Sequence, residues 1–273
     1  MTQSWAGLSL DRPRVMGILN VTPDSFSDGG SHADTQTAIQ AGLAMHAAGA
    51  DIIDVGGEST RPGSAPVPPE LEQARVVPVI RALASSGAKV SVDTRNAATM
   101  QAALEAGAAI VNDVSALAHD PAAAEVVARH GCPVVLMHMR GTPDTMNAAA
   151  RYTDIAAEVT AELAGRIEAA RRAGIARDAI AIDPGIGFAK FARHSLELLR
   201  RLPELRVLGC PILVGVSRKA FIGRLGGEAE PRRRLPGSLA AALFALERGA
   251  HILRVHDVTE TLQAIRVWQA LAG

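Results

Sequence analysis

The chain has 273 residues, 48% of them hydrophobic and 21% charged, with 25 glycines and 15 prolines. This balance excludes a disordered chain, which buries too little apolar surface, and a coiled coil, which so much glycine and proline would break. The 28 basic and 28 acidic residues cancel, so no global field draws nucleic acid or an anionic membrane, and any anion site must be local.

In chain order, the first fifteen residues show neither a signal peptide nor an Arg-rich transit pattern. Short β-branched apolar runs then recur at residues 15–19, 51–55, 89–92, 109–111, 134–137, 179–182, 211–216 and 251–255, separated by Ala/Leu/Glu/Arg-rich helical stretches. Each run is apolar almost throughout, as in strands covered on both faces. Eight strands alternating with helices, with no composition break, predict a single α/β domain over residues 1–273, a (β/α)8 TIM barrel. A doubly wound sheet would carry a GxGxxG turn after its first strand, but that strand ends in Leu19-Asn20-Val21-Thr22-Pro23. No apolar run approaches the ~20 residues of a membrane span. Cys132 and Cys210 lack CxxC spacing and read as buried apolar packing. We expect a cytoplasmic protein with no nucleic-acid or membrane partner. Only Lys89, Lys190 and Lys219 among the 28 basic residues are lysine, which marks places where a compact ammonium is needed.

The residues just past each strand carry the chemistry. The first capable groups are Asn20, Glu58 with Thr60 and Arg61, Asp93, Asn112, His138, Asp183, Ser217 with Lys219, and His256. In a barrel these ends converge on one mouth. Asp93, Asn112 and Asp183 suit either a flat heterocycle rich in N–H donors or a divalent cation, and a lone strand-end aspartate such as Asp93 is also a common helix N-cap. Arg254 shares a face with His256 but lies one layer deeper, so it must meet an anion or stack on a ring. Arg61 in its glycine-bearing loop, with Arg254 and His256, forms a phosphate site, and Ser217-Arg218-Lys219 opens a helix whose free N–H groups favour an anion. Arg218 itself reads as a structural charge. His251 and His256 fall on opposite faces and are not ligands of one metal.

These segments resemble the dihydropteroate synthases of the pterin-binding family. The resemblance rests on MGILNVTPDSFSDGG at residues 16–30, DVGGESTRPG at 54–63, SVDT at 91–94, Asn112-Asp113, MHM at 137–139, DPGIGF at 183–188, SRK at 217–219 and RVHDV at 254–258. It implies an enzyme that condenses 6-hydroxymethyl-7,8-dihydropterin diphosphate with 4-aminobenzoate, giving 7,8-dihydropteroate and pyrophosphate by an SN1-like substitution. It further implies that Asp93, Asn112 and Asp183 hold the pterin edge, that Lys219 bonds it and that Arg254 stacks on it. Asn20, Arg61, Arg254 and His256 would hold the diphosphate, with Mg2+ near Asn20. Phe26, Thr60, Pro62, Phe188, Lys219 and Ala220 would line the aminobenzoate slot. Asp93, Lys219 and Arg254 are the implied catalytic residues, and a homodimer is the implied assembly.

Three positions depart from the family's pattern. Ala220 stands where serine is frequent, Ala189 where glycine is, and Ser195 where asparagine is; Ser195 reads as a helix-start cap. A pterin-binding methyltransferase domain is the nearest alternative, and Phe26, Arg61-Pro62 and Ser217-Arg218-Lys219 favour the synthase over it. An idle barrel would have no reason to keep two carboxylates and an arginine in one mouth. The late helix carrying Leu239, Leu243 and Leu246 is expected to pack on the barrel through those leucines.

Overall fold

All eight apolar runs are strands of one parallel sheet. The computed structural model describes residues 4–22, 31–59, 67–142 and 144–272. A two-stranded antiparallel hairpin, β1 (Ser4–Trp5) with β2 (Leu8–Ser9), comes first. The barrel strands come next: β3 (Arg14–Asn20), β4 (Ile52–Gly56), β5 (Val90–Asp93), β6 (Ile110–Asp113), β7 (Val134–Met137), β8 (Ile180–Asp183), β9 (Leu213–Val214) and β10 (Ile252–Val255). Their order around the sheet is β8-β7-β6-β5-β4-β3-β10-β9. An isolated parallel bridge between Ile182 and Ile212 joins the two ends, helped by the Ile182 N–H on the Pro211 carbonyl at 2.9 Å. The run at 211–216 gives only two ladder residues, because Pro211 has no N–H to donate and the chain leaves the sheet at Gly215.

Helices fill the crossovers: α1 (Ser31–Ala47), α2 (Pro69–Ser85), α3 (Ala97–Glu105), α4 (Ala123–His130), α5 (Ile155–Arg172), α6 (Ala192–Arg200), α7 (Ala220–Gly226), α8 (Leu235–Glu247) and α9 (Val258–Ala272). No described helix is long and apolar enough to cross a membrane. Local chemistry sets several of their starts. Pro69 opens α2, where its missing N–H costs nothing, and the Asp154 carboxylate accepts from Ala157 N–H to cap α5. Ser195 is not a cap: it sits inside α6 with its hydroxyl buried, and His194 Nδ1 accepts the Phe191 N–H instead. On α8 the buried positions are Ser238, Ala242, Ala245 and Leu246. Of the three leucines expected to face the barrel, Leu246 is buried and Leu243 packs half-buried against the core, and the stripe of smaller side chains beside them lets the helix approach closely.

Two apolar layers result. The larger lies between strands and helices and holds Cys132 and Cys210, both free and buried. The smaller lies inside the barrel: Met16, Ile52, Ile110, Val135, Ala181, Leu213 and Ile252, closed from below by Trp5. The Trp5 indole Nε1 donates to the Ala179 carbonyl at 2.9 Å, and Lys89 Nζ donates to the Ala6 carbonyl at 2.7 Å. The hairpin therefore plugs the end of the barrel opposite the strand C-termini.

Candidate active site

The sheet register assembles the site before any loop is considered. Ile18 pairs with Asp54, Asp54 with Ser91, Gly56 with Asp93, Asp93 with Asn112, Met137 with Asp183, and Arg254 with Met16. Paired residues share a face, so Asp54, Asp93, Asn112, Asp183 and Arg254 all follow the inward parity of the apolar layer around Trp5, one or two steps nearer the mouth.

Arg254 is the hub. Its Nε lies 2.6 Å from Asp54 Oδ2 and its Nη2 lies 2.6 Å from Asp93 Oδ2. The anion required by its depth is thus a pair of carboxylates from β4 and β5. Asn112 Nδ2 donates to the same Asp54 Oδ2 at 2.9 Å. Burial pushes Asp93 up to about 7, with Arg254 opposing and Asp54, Glu72 and Asp113 adding to the rise. Asp93 is no helix cap; the N–H of Ala97 at the start of α3 is taken by Asp120. Asp183 is also raised by burial, while its Oδ1 accepts from Gly185 N–H at 2.7 Å. Burial lowers Lys219 to about 8, with Asp183 opposing. Its ammonium sits 4.1 Å from the centre of the Phe188 ring, so Lys219 and Phe188 form one wall.

The loop carrying Phe188 is held from behind. A side chain at Gly185 would run into the His138 carbonyl, and Gly185 has φ +68°. Ala189 adopts φ +49°, a left-handed conformation that costs an alanine ~1–2 kcal/mol. Lys190, buried, donates to the Phe188 carbonyl at 3.0 Å and lies 2.8 Å from His138 Nδ1. His138 follows the inward Met137 by one residue and so points away from the mouth. Its Nε2 meets Glu162 at 3.0 Å, and it does not join the other strand-end groups.

At the β9–β10 side, Ser217 Oγ accepts the His256 backbone N–H at 3.2 Å and lies 3.0 Å from His256 Nδ1. Burial first, then Arg218 and Arg254, hold His256 down at about 3, so the imidazole is neutral. Arg218 is the structural charge expected: it has φ +60°, and Asp257 and Ser238 hold it in place. Glu58, just past β4, is bonded to Arg95 at 3.0 Å and to Val67 N–H. Asn20 ends β3 half-buried, and Ala220 is exposed at the start of α7. Phe26, Thr60, Arg61 and Pro62 lie outside the described residues.

The pterin binding enzyme family matches residues 16–256. The chain belongs to the pterin-binding enzymes. It is 49% identical over 264 residues to a dihydropteroate synthase of Escherichia coli (strain K12), covering 96% of this chain and 93% of that one. A Xanthomonas albilineans dihydropteroate synthase solved with 4-aminobenzoic acid is similar with a TM-score of 0.93 and 50% identity, covering 98% of this chain and 97% of that one. The same enzyme in complex with 7,8-dihydropteroate gives a TM-score of 0.89 and 48% identity, with 97% and 96% covered. The pterin-binding match opens at Met16, in the apolar layer, and closes at His256, at the mouth. It takes in every strand-end group of the barrel and leaves out the plugging hairpin and α9.

Sequence reasoning missed Asp54 as a site residue. The signal was present: a carboxylate inside the apolar run Ile52-Ile53-Asp54-Val55 needs a buried partner. It also passed over Glu72 of α2, which takes Thr94, Asn96 and Thr99 on one oxygen behind β5. Helical periodicity alone gives no reason to single that residue out.

Proposed function

We propose that this chain is a dihydropteroate synthase, condensing 6-hydroxymethyl-7,8-dihydropterin diphosphate with 4-aminobenzoate to give 7,8-dihydropteroate and pyrophosphate. The observation that carries the reading is the inward row Asp93, Asn112 and Asp183, three hydrogen-bonding groups on three strands, backed by Arg254 and walled by Lys219. A pterin offers N–H donors along one edge, and two carboxylates with an amide oxygen accept them.

The reaction needs charge stabilisation more than a strong base. As the bond from the pterin methylene to the diphosphate oxygen breaks, the electron pair leaves with pyrophosphate and positive charge spreads into the pterin. Asp54, Asp93 and Asp183 stand against Arg254 and Lys219. Fully ionised, the group carries one surplus negative charge, the sign that stabilises a developing cation. The arylamine nitrogen then forms the new C–N bond and gives up its proton to pyrophosphate or water. His256 presents a neutral imidazole, and Asn20, Arg61 and Arg254 are assigned with it to the departing diphosphate. Phe188, Lys219 and Ala220, with Phe26, Thr60 and Pro62, are assigned to the aminobenzoate. We take the whole of residues 1–273 as the working unit.

Mg2+ fits this donor set in a limited way. Among the described residues no three His, Cys, Asp or Glu side chains gather to hold a metal ion, and Asp93 and Asp54 are bonded to Arg254. The ion would be held by diphosphate oxygens and water, with Asn20 adding one hard oxygen. Bound there, it would draw charge from the leaving group. A homodimer in the cytoplasm completes the reading. Its support is an apolar groove of about 440 Å3 between α6, α7 and α8, where Leu225 is 64% exposed.

The test is pyrophosphate release from dihydropterin diphosphate, with and without 4-aminobenzoate and with and without chelator, for wild type and Asp93→Asn. Release that requires aminobenzoate and collapses in the variant is expected. Tight pterin binding without release would defeat the assignment. Light scattering on the eluted protein tests the dimer.

A further inference from the structure

Asp54 lies in the middle of β4 with no solvent exposure. It is one layer below the groups assigned to the ligand. Both of its hydrogen bonds converge on one oxygen: Oδ2 accepts from Arg254 Nε at 2.6 Å and from Asn112 Nδ2 at 2.9 Å. Oδ1 is buried and has no hydrogen-bond partner. A carboxylate taken this far out of water is costly, and its neighbours along the strand are Ile52, Ile53 and Val55, so the layer itself asks only for another apolar side chain.

We propose that Asp54 is a positioning residue of the pterin site: through one carboxylate oxygen it fixes the direction of the Asn112 amide and the reach of the Arg254 guanidinium. The inference rests on the pterin reading already given under the proposed function. An ionised carboxylate only accepts hydrogen bonds. The NH2 end of Asn112 is therefore turned toward Asp54, and the reversed amide would set oxygen against oxygen. The Oδ1 of Asn112 and its second N–H remain for the ligand, so a flat heterocycle must offer a donor where the Asn112 Oδ1 stands. Arg254, with Nε on Asp54 and Nη2 on Asp93, is held by two strands at once and cannot swing wholly onto Asp93. Asp54 thus keeps part of the arginine's charge away from Asp93, the carboxylate that faces the ligand. It touches no ligand itself, and its effect on pterin binding passes through these two side chains.

The experiment uses the full chain and three forms: wild type, Asp54→Val and Asp54→Asn. Affinity for 6-hydroxymethyl-7,8-dihydropterin is read by titration calorimetry, and KM for each substrate by pyrophosphate release. Asp54→Val, similar in size but unable to accept, is expected to weaken pterin binding about tenfold or more, the scale of a lost charged hydrogen bond, and to leave KM for 4-aminobenzoate unchanged. Asp54→Asn is expected to recover most of that loss, because its amide oxygen takes the place of Oδ2. Unchanged pterin affinity in Asp54→Val, equal loss for both substrates, or no recovery in Asp54→Asn would overturn the proposal. If Asp54→Val does not fold, the wild-type protein still decides. The Asn112 side-chain N–H signal should stay hydrogen-bonded and protected from exchange with and without the pterin, and its release on binding would overturn the proposal. A wild type that binds pterin but releases no pyrophosphate would defeat the reaction and leave the binding test of Asp54 intact.

Discussion

The two ends of the barrel are built from the same strands with the same inward parity, yet they do opposite work. At the closed end, Trp5, Met16, Ile52, Ile110 and Ile252 pack without a charge among them. One step along β4, β6 and β10 the same parity holds Asp54, Asn112 and Arg254. Stability is concentrated in the lower layer and chemistry in the upper. The difference teaches that height along the strand, more than strand identity, assigns a residue its role.

The sharpest way to break this division is at the bottom. Trp5→Ala removes the plug and should lower the free energy of unfolding by ~3–5 kcal/mol, read by urea denaturation, while kcat/KM of the folded enzyme is unchanged. At the top, Asp93→Asn should cut kcat by about 10²–10³, the scale of one lost preorganised electrostatic group, with no comparable fall in the urea midpoint. A stability loss matching the activity loss would dissolve the comparison.

Titration distinguishes the ends less drastically. Burial holds Asp93 up at about 7 and Lys219 down at about 8. The charges of Arg254, Asp54, Glu72 and Asp113 act on Asp93, and those of Asp183, Arg254 and Asp93 act on Lys219. With ionised Asp93 and protonated Lys219 the competent forms, kcat/KM for the pterin substrate should fall below about pH 7 and above about pH 8, a narrow bell in a pH–rate profile. The stability sign for Asp93 runs the other way. A carboxyl raised in the fold keeps its proton longer than in the unfolded chain, so its contribution is full below 3.8 and is lost as pH rises through about 7. The smallest effect belongs to the loop over the mouth. Ala189→Gly should relieve the left-handed strain and raise stability by about 1 kcal/mol, with KM for 4-aminobenzoate as the second readout, since Phe188 precedes it.

Much of this was legible in the residues. Alternation of apolar runs and helices located all eight strands to within a residue or two, except at 211–216, where Pro211 and the exit at Gly215 shorten the ladder. The sparing use of lysine also proved informative. Lys89 ties the hairpin, Lys190 ties the Phe188 loop, and Lys219 walls the site, each a place for a compact point charge. His138 was not legible as an outsider, nor was the partner that Glu58 takes. A strand-end position gives no face until the parity is known, and Glu58 turns on a contact with Arg95, 37 residues away.

The chain alone determines the sequence of strand and helix and the residue type at each strand end, because those arise from local periodicity and chemistry. The hairpin plug, the convergence of Arg254 on Asp54 and Asp93, and the one-sided amide of Asn112 were decided by the closed sheet. Those partners stand 200 and 161 residues apart for the arginine and 58 for the amide, and only the register of parallel strands around a barrel sets them in adjacent layers on one face.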